Sequence, residues 1–110
     1  AFLVQAHLGN YALWLSGMFP DHIEHRRHRR GAPGLGYFEQ MGQRGFQLAS
    51  RHRLANEHGL ALLFAAMSAR FPVLRLALNR ISDALLFPRH HSPDRLLRQV
   101  RDEARWRHAE

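Results

Sequence analysis

Nine histidines fall among 110 residues, and three of them, His22, His25 and His28, recur at every third position of the stretch DHIEHRRHRR. Imidazole is a common ligand of divalent metals, and on a helix this spacing sets Asp21 against His25 and Glu24 against His28, acid and imidazole on one face. Such a face could seat a divalent ion. Four interleaved arginines, Arg26, Arg27, Arg29 and Arg30, would repel one, and without metal the same residues are exposed acid–histidine pairs that stabilise a polar helix slightly. Neither HExxH nor the paired ExxH of a di-metal bundle is present. His22, His25 and His28 are therefore the candidates for a metal, and no other cofactor is expected.

The arginines give the same stretch a more direct reading. A guanidinium is permanently charged, and its planar fork grips carboxylate or phosphate through two parallel hydrogen bonds. Arg26, Arg27, Arg29 and Arg30 form the densest basic cluster of the chain and point to an anionic partner, either nucleic acid or an acidic protein surface. Asp21 and Glu24 offset half of that charge, leaving the segment 21–30 at +2. Tyr37 and Phe38 follow closely, as stacking on single-stranded nucleic acid would require, although Phe38 also fits a helical core stripe. Near the C-terminus Arg95, Arg98, Arg101, Arg105 and Arg107 look like a second basic surface. Here Asp94, Arg98 and Asp102 form a ladder four residues apart, and Glu103 reaches Arg107 in the same way, so much of that charge is paired internally.

A third constellation is less polar. His7 and Asn10 lie three apart beside Trp14, and His52 falls on an apolar stripe of a later helix. Together they could line a small-ligand pocket between helices, or they could be core groups hydrogen-bonded to backbone and to one another. No serine sits in a nucleophile-elbow context, GAPGLG follows no strand that would make it a phosphate loop, and cysteine is absent. No catalytic residue is identified, and the reading leans away from an enzyme.

Helices must position these residues, since no alternating run is long enough for a strand. A first helix over 2–18 is apolar nearly all round. It carries Phe2, Ala6, Gly9, Leu13 and Gly17 on one side and Leu3, His7, Asn10 and Trp14 on the other, and both sides are expected to meet protein. Pro20 and Asp21 suit the start of a second, polar helix, and GAPGLG over 31–36 reads as a loop. The apolar spacing from Tyr37 to His58 predicts the longest helix, stopped by Gly59. Residues 60–70 form a short apolar helix, and Pro72 opens one with a clean stripe of Leu74, Leu78, Ile81 and Leu85. Ser92 and Pro93 cap and open the last, with a narrow apolar face of Leu96, Leu97, Val100 and Ala104.

These elements predict an all-α, compact bundle of five or six helices in a single domain over 1–110. Residues 1–88 form the core bundle, centred on the first, third and fifth helices, and 89–110 a C-terminal polar helix. The length suits one core and not two, and 45% apolar with 23% charged residues is ordinary for a globular protein. Sixteen basic residues, all arginine, against nine acids give a formal charge of +7, a bias that a G+C-rich coding sequence of bacterial type would also produce. The first nineteen residues are uncharged, but Gln5, His7, Asn10 and Ser16 argue against a signal or membrane segment. The expectation is a soluble cytoplasmic protein with no membrane partner, and the small-residue faces favour a homo-oligomer. As a function, the sequence points to a non-enzymatic helical interaction module whose arginine- and histidine-rich segment meets an anionic partner. A metal- or small-ligand-binding bundle and a purely structural homo-oligomeric subunit are the alternatives.

Overall fold

The computed structural model describes residues 1–109, apart from the side chains at 106, 108 and 109, so residue 110 of the expected C-terminal helix lies outside it. Within these residues the chain forms helices and no strand: α1 Phe2–Met18, α2 Pro20–Arg30, α3 Leu35–Ser50, α4 Arg53–Glu57, α5 Ala61–Ala69, α6 Phe71–Leu85 and α7 Pro93–Ala109. The all-α class holds, with seven helices where five or six were expected. The extra one arises because the span from Tyr37 to His58 is broken at His52. There the backbone turns extended, with ψ 145°, and the imidazole Nδ1 accepts a hydrogen bond from the Leu54 N–H at 3.1 Å, capping α4. α3 also starts earlier than expected, at Leu35, inside the stretch that reads as a loop.

The remaining helix ends fall where local chemistry puts them. Pro20 lies in the first turn of α2, and Gly31 closes that helix in the left-handed region, at φ 63°, with its N–H on the Arg27 carbonyl at 3.0 Å. The Ser92 hydroxyl accepts from the Arg95 N–H at 3.1 Å ahead of Pro93.

α1 and α3 form the centre, and their backbones touch. A Cβ added at Gly45 would lie 2.8 Å from the Gln5 carbonyl oxygen and 2.9 Å from the Gly9 nitrogen, so only glycine permits this approach. Phe46, Ala12 and Phe71 fill the buried core beside that seam, with Leu13, Phe38, Met41, Phe64 and Met67 packed around them. α5 is clasped to α3 by Ser68, whose hydroxyl donates to the Gln43 carbonyl at 2.8 Å, while the Gln43 amide donates to the Ser68 carbonyl at 3.2 Å.

Three expected apolar faces are turned the other way. On α1 the stripe Leu3, His7, Asn10 and Trp14 is exposed. On α6 the second half of the leucine stripe lies outward, with Ile81 and Leu85 exposed and Leu74 and Leu78 half-buried, while Arg75, Asn79 and Ser82 face the interior. The reason lies at the end of α1, whose final carbonyls have no helical partner. The Asn79 amide donates to the Ser16 and Gly17 carbonyls, each at 2.8 Å, and the Ser82 hydroxyl to that of Met18 at 2.5 Å. α7 is inverted outright, burying Arg95, Arg98 and Asp102 and exposing Leu96, Leu97 and Val100. Among the described residues no single helix is long and apolar enough to cross a membrane. α5 and α6 pass together on length and composition but bend by 73° at their junction.

Candidate functional site

α7 is held to the bundle by ions. Buried Arg75 donates through Nε to Glu39 at 2.6 Å, through Nη1 to the Asn79 side-chain Oδ1 at 2.6 Å, and through Nη2 to Asp102 at 3.1 Å. Buried Arg98 reaches Asp21 at 2.9 Å, Asp83 at 2.7 Å and Asp102 at 3.5 Å. Arg105 adds a second cation to Glu39 at 2.9 Å. Burial alone would lower the Arg98 pKa, yet the hydrogen bond and charge of Asp21, joined by those of Asp83, outweigh it and hold that pKa above the ordinary arginine value. The ladder expected on α7 is thus only half present: Arg98 meets Asp102 but takes Asp21 and Asp83 from other helices. Glu103 and Arg107 do pair, at 3.6 Å. The cleft of about 440 Å³ between α6 and α7 is walled by this network, and its charged side chains are already paired with one another.

This network reshapes α2. Asp21 points to Arg98, and Glu24 is buried beneath the helix, with Arg101 3.8 Å, Arg27 3.9 Å and His28 3.7 Å from its Oε2. Its Oε1 is buried and makes no hydrogen bond among the described residues. Both acids that offset the arginines in the sequence are therefore removed from the outer face. That face carries His22, His25, Arg26, Arg29 and Arg30, which line one groove of about 500 Å³. Arg26, Arg29 and Arg30 make no ion pair among the described residues. Arg27 does not join them, since it lies over Gly34 and turns toward Glu24.

Of the other sequence-level candidates, His28 leaves the histidine row for Glu24, and among the described residues no group of three histidine or acidic side chains is placed to hold a metal ion. His7, Asn10, Trp14 and His52 are not gathered into one pocket. His7 stacks on Tyr11 with ring centroids 6.4 Å apart, Asn10 is exposed, and His52 caps α4 with its ring 5.4 Å from Phe2. Trp14 belongs elsewhere, in an aromatic cavity of about 640 Å³ with Phe19 and Phe87 that also reaches His22 and His25. Sequence reasoning missed Phe19, Phe87 and His90 as site residues, because the loop carrying the last two meets α1 and α2 only in the folded chain.

The arrangement presents fixed positive charge and N–H donors on an exposed helix next to an apolar hollow, which suits holding an anion. No family model, curated protein or solved structure matches the chain at a significant level.

Proposed function

We propose that this chain is a non-enzymatic helical module that contacts an anionic partner through the outer face of α2. One observation carries the reading: the buried network takes Asp21 and Glu24 inward, so a segment with a formal +2 presents Arg26, Arg29 and Arg30 with no exposed acid among them. Seven of the sixteen arginines make no ion pair among the described residues, and these three lie within five residues of α2 and share a groove with two histidines.

The test is fluorescence anisotropy of labelled single- and double-stranded oligonucleotides across a salt series, nucleic acid being the polyanion expected from sequence. Each phosphate neutralised contributes about −0.9 to the slope of log affinity against log salt on duplex DNA, so three arginines set a slope of about −3 at most. The variant Arg26→Gln/Arg29→Gln/Arg30→Gln should flatten it, while Arg44→Gln/Arg51→Gln/Arg70→Gln, which removes the same charge elsewhere, should not. Equal losses in the two triple variants would reduce the effect to net charge and refute a site on α2.

A further inference from the structure

We infer that the α2 groove and the aromatic cavity beside it are one binding site for an amphipathic anion, a molecule whose apolar chain fills the cavity and whose carboxylate or phosphate head rests on Arg26, Arg29 and Arg30. This rests on the reading of α2 as an anion contact and names the ligand class. His22 and His25 line both hollows, so the basic groove of about 500 Å³ and the apolar one of about 640 Å³ lie side by side with these two imidazoles as their common wall. Three rings stand in a row along the cavity: Trp14 meets Phe19 edge-on at 5.3 Å, and Phe19 meets Phe87 edge-on at 6.1 Å.

Trp14 remains 54% exposed and Phe87 39% exposed around this concavity. That apolar surface is available for an alkyl chain to cover. The wall is fixed in advance. Buried Arg95 donates to the carbonyls of Phe87 at 2.5 Å and His90 at 2.6 Å, and to that of Asp83 at 3.0 Å, tying the loop to the buried network. A preformed wall spares the ligand the cost of ordering it. Polarity along the site is also set. Asp94 lines the cavity on the side of α7 and repels an anion, and the carboxylate of Asp21 at its floor is held by Arg98. The head therefore lies toward α2. A row of three arginines spans only about two phosphates of a nucleic-acid strand, a small footprint that matches one head group better than a long polyanion.

Calorimetric titration of the whole chain with straight-chain alkyl phosphates, each below its micellar concentration, tests this. One molecule should bind per chain, with affinity rising roughly tenfold for every two methylenes until the cavity is full, then levelling off. A neutral alkyl glucoside of equal chain length should bind about tenfold more weakly. In the α2 triple-glutamine variant that preference for charge should vanish. Phe87→Ser, at a partly exposed ring and with folding checked by circular dichroism, should cost alkyl phosphate about tenfold. Binding of phosphatidylglycerol vesicles that also depends on Phe87 would identify the source as a bilayer lipid, and binding of monomeric amphiphile alone a free one; either supports the site. Affinity independent of chain length, or of head charge, overturns it. Oligonucleotide binding through α2 with no alkyl phosphate binding overturns this inference alone, and loss of both overturns the proposed function as well.

Discussion

Replacing Arg75 by methionine should cost the fold about 3 kcal/mol, the lower end of what removing one partner of a buried ion pair costs. The guanidinium is 1% exposed and donates to Glu39, Asn79 and Asp102. Its removal leaves two buried carboxylates short of a cation, but neither bare, because Glu39 keeps Arg105 at 2.9 Å and Asp102 keeps Arg98 at 3.5 Å. Those remaining partners are why the lower end applies. Small domains are stable by about 5–15 kcal/mol, so the loss is readable in urea unfolding followed by far-ultraviolet circular dichroism. Arg53→Met is the comparison: its pairing with Glu57 spans 3.8 Å at the surface and should be worth less than about 1 kcal/mol. Adding Glu39→Leu to Arg75→Met should recover part of the stability, since an apolar side chain in place of a stranded buried charge is favourable. If Arg75→Lys replaces methionine, charge is kept while the planar fork is lost, and the cost should fall between the two. Arg75→Met no more destabilising than Arg53→Met would refute the view that ions hold α7 and thereby turn Asp21 and Glu24 inward.

Gly45→Ala should destabilise by about 1–3 kcal/mol through overpacking, because its Cβ would meet backbone of α1 that cannot swing aside, whereas Gly36→Ala, with open space around it in α3, should stabilise by up to about 1 kcal/mol; thermal unfolding of both checks the seam. The raised Arg98 pKa lets its pairing stabilise the fold at every pH below arginine's ordinary value, to be lost only as pH rises through the higher folded value, so unfolding curves at pH 7 and pH 9 should show no Arg98-dependent difference. The expected homo-oligomer has outward Leu96, Leu97 and Val100 to draw on, and sedimentation should show an assembly that Leu97→Glu dissociates; a wild-type monomer at high concentration would end that expectation.

Local chemistry settled the elements of this protein. Pro20, Gly31, Gly59 and the Ser92–Pro93 pair mark helix ends by backbone geometry and capping that act within a few residues, and the small residues Gly9 and Gly17 mark a helix side that meets Phe46 and Leu78. The basic character of 26–30 was equally plain. What periodicity could not supply was the direction each stripe faces: an amphipathic pattern has two sides, and on α6 and α7 the polar side went inward. It did so because Asn79 and Ser82 answer the open carbonyls of α1, and because Arg98 finds Asp21 from 77 positions away, a pairing no helical period encodes. The proposed anion contact depends on that long-range pairing, since only after Asp21 and Glu24 are drawn beneath α2 does a segment of mixed charge become a basic face.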